Sequence, residues 1–147
     1  MAVRVEEATE ATAEVVEAMQ RLVVQLSSSA PVPRAADVAA IVESPATVLL
    51  LARDGPGGEI LGTLTLALFR IPTGLRAWIE DVVTDEAARG RGVGTALTEE
   101  ALRRAAGAGA RTVDLTSRAS REDANRLYQR VGFQRRETNV YRWTAAE

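Results

Sequence analysis

The sequence contains no cysteine and no histidine, and all 18 of its basic residues are arginine, so lysine is missing as well. Without cysteine there is no disulfide and no covalent thiol intermediate. Without histidine too, a zinc site of the usual Cys/His kind and a Ser-His-Asp triad are excluded. The missing lysine removes a Schiff-base nucleophile and the Gly-Lys-Ser/Thr phosphate loop. No apolar run reaches the roughly 18 residues that span a bilayer. The acidic, alternating start lacks the basic segment and apolar core of a secretory signal, so a cytoplasmic protein with no membrane partner is expected. A formal net charge of -2 with scattered arginines gives no basic face, which argues against a nucleic-acid partner. What is present, 147 residues with 46% hydrophobic and 26% charged side chains, suits one domain over residues 1–147 with one core.

Alternation in "VRVEEA" predicts a strand over Val3–Glu7. Thr9 is placed to cap a helix that carries Val15, Met19, Leu22, Val23 and Leu26 at helical spacing. The turn formers and two prolines of Ser27–Ala35 end it, and a second short helix is expected over Ala35–Val42. Thr47–Arg53, Glu59–Arg70 and Leu75–Thr84, joined by "DGPGG" and "PTG", read as three antiparallel strands. Next comes "ARGRGVGTAL", then a helix ending near Gly107 or Gly109, with Val93, Leu97, Ala101 and Ala105 on one face and Glu99–Arg103 and Glu100–Arg104 as ion-pair candidates. Arg111–Arg118 reads as a strand. Ser120 is a cap candidate for a helix with Ala124, Leu127, Tyr128 and Val131 in register, ended by Gly132, and "FQRRETNVYRW" as a last strand or hairpin. The order is α/β. If Ala77–Thr84 and Arg111–Ser117 pair in parallel through the intervening helix, a ligand belongs at their C-terminal ends.

The glycine-rich stretch is the most informative. A helix N-terminus offers unpaired N–H groups and the positive end of its dipole, glycines let a phosphate approach the backbone, and arginine charge is permanent. The reading is a pyrophosphate cradle, against the plainer one of a tight strand-to-helix turn. A dinucleotide site fits less well: Gly90, Gly92 and Thr95 only approximate GxGxxG, "DEAA" separates the strand from the loop, and the preceding strands look antiparallel.

"RGRGVG", Arg89 to Gly94, is similar to the Arg/Gln-x-x-Gly-x-Gly/Ala loop of the GCN5-related N-acetyltransferase (GNAT) superfamily. "WIEDVVTDEAARGRGVGTAL" resembles that family's core motif, and "ANRLYQRVGF", Ala124 to Phe133, its second motif. The resemblance implies a single-domain GNAT-like α/β fold: a mixed, mostly antiparallel sheet with a central splayed parallel strand pair and flanking helices. It implies acetyl-CoA as co-substrate and no metal. The pyrophosphate would lie on Arg89, Gly90, Arg91, Gly92, Val93, Gly94 and Thr95, while main-chain groups of Val82, Val83 and Thr84 hold the pantetheine arm and acetyl carbonyl.

By the same resemblance Tyr128 protonates the departing thiolate, although its spacing alone describes a core tyrosine. Glu80 is the base. Its neighbour Asp81 should point to the opposite face unless a bulge intervenes, and from the residues alone Glu80 reads equally as a strand carboxylate paired with Arg70 or Arg76. Arg121 stands where many members have asparagine, and the chain's own asparagine is Asn125; both are cofactor-binding candidates. With no cysteine or histidine, direct attack by a primary amine in a ternary complex is the expected route. The acceptor is a small molecule or a peptide amine, met by the first two helices, the Ser27–Ala35 loop and the last hairpin. Trp78 and Phe69 are candidates for an aromatic wall, though isolated strand aromatics usually belong to the core. The competing reading is a non-catalytic acyl-CoA-binding regulatory module. Exposed sheet edges or the C-terminal hairpin offer a route to a homodimer.

Overall fold

Three apolar runs joined by tight turns make the centre of a sheet. In the computed structural model, which describes residues 2–146, they are β2 (Thr47–Asp54), β3 (Ile60–Ile71) and β4 (Gly74–Thr84). β1 (Val3–Glu7) pairs antiparallel with β2, and β2–β3 and β3–β4 are antiparallel hairpins. β5 (Val113–Asp114) is parallel to β4, with Ala77 opposite Val113 and Trp78 opposite Asp114. The strand order is β1-β2-β3-β4-β5. The parallel pair therefore lies at one end of it, and β4 runs on from Ile79 to Thr84 with β3 as its recorded neighbour. The helices are α1 (Ala13–Leu26), α2 (Ala35–Glu43), α3 (Val93–Ala108) and α4 (Glu122–Val131).

The chain divides into two compact units, one ending at Thr116 and one beginning at Ser117. In the first, both faces of the sheet are covered. Leu49 and Leu51 cluster with Val15, Ala18, Met19 and Leu22 of α1 and Val38 of α2. Leu50, between them, points to the other face and pairs with Leu64. That face meets α3 through the buried Val93, Leu97, Ala101 and Ala105, the helix stripe expected from the sequence. Gly62 of β3 makes the contact close: a Cβ there would come within 2.7 Å of both the Val83 carbonyl oxygen and Val93 Cγ1. Among the described residues no helix is long and apolar enough to cross a membrane.

Several local expectations change. Thr12, not Thr9, caps α1, because its Oγ1 is the one that accepts the Val15 N–H, at 3.2 Å. Arg121, not Ser120, is the cap residue of α4 and makes no side-chain cap bond. Arg103 pairs with Glu100 rather than Glu99, sharing that carboxylate with Arg104. β5 is two residues long instead of eight, and 133–146 forms no strand; Val140, Tyr141 and Trp143 there are exposed. Alternation records a strand's readiness, but a ladder needs a partner's hydrogen bonds.

The close approach at Gly62 gives a test. Gly62→Ala must push β4 and α3 apart and should cost about 1–3 kcal/mol in denaturant unfolding; a change below about 0.5 kcal/mol, the range of a neutral surface substitution, would show that this packing is looser than described.

Candidate functional site

β4 carries the first half of the candidate site, and its hydrogen-bond register explains the geometry. Thr63 lies opposite Val83 and Thr65 opposite Glu80, so one β3 residue, Leu64, faces two of β4, Asp81 and Val82. This is a β-bulge, and Asp81 absorbs it with φ 49°, the left-handed region. Aspartate tolerates that conformation better than most residues, but it remains uncommon outside glycine. The extra residue breaks the alternation: Glu80 and Asp81 are both open to solvent in succession, Val82 and Thr84 are half-buried and Val83 is buried.

The two carboxylates are not equivalent. Glu80 Oε1 accepts the Trp78 indole N–H at 2.9 Å. Arg76 bonds to Asp114 at 3.0 Å and lies over the Trp78 ring, which makes it Asp114's partner instead of Glu80's. Partial loss of hydration against the sheet, followed by the Glu80 charge, holds the Asp81 carboxyl above the usual aspartate range.

The second half begins at Asp85, whose Oδ1 caps the Ala87 N–H at 3.1 Å and starts a single 3₁₀ turn over Glu86–Ala88. Gly90 and Gly92 follow at φ 80° and 79°. No heavy atom lies within 4 Å of where a Cβ would sit on either, so open space covers both backbones. Gly92 is the N-cap of α3 and offers no side-chain acceptor. The first intrahelical bond is from Ala96 N–H to Gly92 oxygen, 3.0 Å, so the N–H groups ahead of it fall outside the helical ladder. Two left-handed glycines flanking Arg91, before a 16-residue helix with no side-chain cap bond, fit an anionic phosphate group. Val93 is 1% exposed and can serve a ligand only through its backbone. Gly94 and Thr95, in the same first turn, are half-buried. Arg89 is exposed, whereas Arg91 reaches Asp54 at 3.3 Å and is partly committed to that pair.

Tyr128, Arg121 and Asn125 belong to the second unit. Tyr128 is 8% exposed, with its ring edge-on to Phe133 at 5.7 Å between centroids. Burial pushes the phenol above its ordinary pKa and the Arg121 charge opposes this more weakly, so the hydroxyl keeps its proton at neutral pH. Asn125 donates its side-chain amide to the Arg118 and Arg121 carbonyls, at 2.9 Å each. Arg121 is exposed at the head of α4.

A family model described as Acetyltransferase (GNAT) family matches residues 15–133. No curated protein matches the chain. Among solved structures, a transcriptional regulator from Bacillus halodurans C-125 is 30% identical, with TM-score 0.78, covering 97% of this chain and 100% of its own. An aminoglycoside acetyltransferase from an uncultured soil metagenomic sample, in complex with sisomicin, is 14% identical, with TM-score 0.83, covering 99% and 97%. AAC(6')-Iy in complex with the bisubstrate analog CoA-S-monomethyl-acetylneamine is 15% identical, with TM-score 0.79, covering 99% and 100%.

The raised Asp81 pKa has a definite sign. The folded state binds this proton more tightly than the unfolded state, so stability falls as pH rises from the unfolded aspartate value through the folded one. Asp81→Asn, which also tolerates a left-handed backbone, should raise the thermal midpoint at pH 7 and leave it unchanged near pH 3. Equal midpoints at pH 7 would mean that the carboxylate is neither dehydrated nor repelled.

Proposed function

The chain belongs to the acetyltransferase (GNAT) family, and from that premise we propose that it transfers the acetyl group of acetyl-CoA to a primary amine by direct attack in a ternary complex. The observation that carries the reading is the sequence of features along one stretch of chain: a bulged strand end, a turn of left-handed glycines, and an uncapped helix N-terminus. Acetyl-CoA brings an activated thioester, which an amine attacks at the carbonyl carbon as the C–S bond breaks.

In this reading the backbone N–H groups of Gly90 to Thr95, with Arg89 and the shared Arg91, hold the pyrophosphate. Main-chain groups of Val82, Val83 and Thr84 align the pantetheine arm and polarise the acetyl carbonyl. Glu80 takes the proton that the attacking amine gives up, directly or through water. Asp81 stands beside it, its own carboxyl pKa raised by partial loss of hydration and by the Glu80 charge. Tyr128 donates to the departing thiolate; its burial keeps the phenol protonated until it is needed. Arg121 supplies a guanidinium for a CoA phosphate, and the Asn125 oxygen accepts from the pantetheine chain. The sisomicin complex of the metagenomic relative supports a small, amine-bearing acceptor. The same proposal places the activity in the cytoplasm and takes residues 1–147 as one catalytic domain.

A second reading, an acyl-CoA-binding regulatory module without turnover, draws on the Bacillus halodurans relative described as a transcriptional regulator. Thiol release from acetyl-CoA across a panel of amines separates the two. The account expects release that depends on amine, and calorimetric binding of acetyl-CoA but not of NAD. Binding without release under any amine favours the regulatory module, and no binding at tens of micromolar contradicts both. Tyr128→Phe should lower kcat by about a hundredfold, within the range for general acid catalysis, and a loss within about threefold removes the acid role. Glu80→Gln should lower kcat by about a hundredfold, within the range for general base catalysis, and a loss within about threefold would take Glu80 out of the chemistry.

A further inference from the structure

We infer that Arg21 and Gln25 of α1 form a latch that sets the position of the glycine turn, making Arg21 a positioning residue for acetyl-CoA. The inference rests on the pyrophosphate reading of that turn.

Arg21 and Gln25 are four residues apart, so they share one face of α1. Arg21 Nε bonds to Asp85 Oδ2 at 3.2 Å, and its Nη2 donates to the Ile60 carbonyl at 2.7 Å. Gln25 Oε1 accepts the Glu86 N–H at 2.8 Å. Both contacts fall on the two residues that open the turn leading to Gly90. Without them, the turn is held by the Asp85 bonds to Leu61 and Ala87, the Ala88 N–H to Asp85 oxygen at 2.8 Å, and a long Arg89 N–H to Glu86 oxygen contact of 3.4 Å. The Arg21–Asp85 pair is half-buried, with side-chain exposures of 35% and 16%.

The pair also has an electrostatic role. Asp85 is a carboxylate five residues before Gly90, held ionised first by the Ala87 N–H and then by Arg21 and Gln25. An uncompensated negative charge there would repel an anion seated on the glycine turn. Arg21 cancels it while pinning its orientation, and its second hydrogen bond anchors the arrangement to the start of β3. The apolar face of α1, carried by Val15, Ala18, Met19 and Leu22, does not include Arg21. The latch can thus be removed while the helix stays packed.

Calorimetry with acetyl-CoA, paired with thermal midpoints and amide exchange, tests this. Arg21→Ala should weaken binding about tenfold, the scale of one charge-assisted hydrogen bond. It should also speed exchange of the Ala87, Ala88 and Arg89 amides while leaving the β2 and β3 amides protected. Arg21→Lys should recover affinity to within about threefold of wild type. Adding Asp85→Asn to Arg21→Ala should recover part of it, since the uncompensated charge is then gone. If Arg21→Ala does not fold, Gln25→Ala carries the same test, with an expected loss of about threefold. Wild-type binding with either alanine variant within twofold and its exchange unchanged overturns the latch alone. No binding by wild type overturns the acetyl-CoA reading and the latch with it.

Discussion

The close contact of β3, β4 and α3 at Gly62 is the constraint on which the candidate site depends. With no side chain at this position, the Val83 carbonyl oxygen and Val93 Cγ1 each come within 2.7 Å of where a Cβ would sit. The end of the strand and the start of the helix are thereby fixed against one another through a buried contact, and the residues between them must close that short gap. Two glycines at positive φ do so without placing a side chain over the helix N-terminus. Core packing and ligand cradle are consequences of one arrangement, which is why Val93 and Val83 can be core residues by side chain and functional by backbone.

The bulge at Asp81 adds chemistry to that frame. An ordinary strand would send consecutive carboxylates to opposite faces. One extra residue opposite Leu64 leaves both exposed in succession, and the two then differ in surroundings: Glu80 accepts the Trp78 indole N–H, while partial loss of hydration and the Glu80 charge raise the Asp81 carboxyl pKa. Strain of this kind concentrates at functional positions. The Asp85 turn extends the same logic toward α1, whose Arg21 and Gln25 reach across from a helix distant in sequence.

Much of this was legible from residues alone. The glycine turn, the strand before it and the amphipathic helix after it each follow from local patterns, whereas Tyr128 reads by its spacing as a core residue and takes a role only from the resemblance of "ANRLYQRVGF" to the family's second motif. The bulge was not legible, because an extra residue is a property of register between two strands and leaves no mark in the alternation of one. Thr9 was the expected cap of α1, and the Val15 N–H instead meets Thr12, a threonine that the sequence pattern alone did not single out. The last strand failed because "NVYRW" has the composition of a strand and no recorded partner. Arg21 escaped notice because an arginine on a helix is ordinarily a surface residue, and its partner Asp85 lies 64 positions away.

The central claim, that the turn from Arg89 to Thr95 seats the acetyl-CoA pyrophosphate through its backbone, is tested most directly by following backbone amide resonances as acetyl-CoA is added. The account predicts that the largest shifts fall on the amides of Gly90 to Thr95, and that they move together with those of Val82 to Thr84. Saturable shifts that leave the amides of residues 90–95 in place would contradict it.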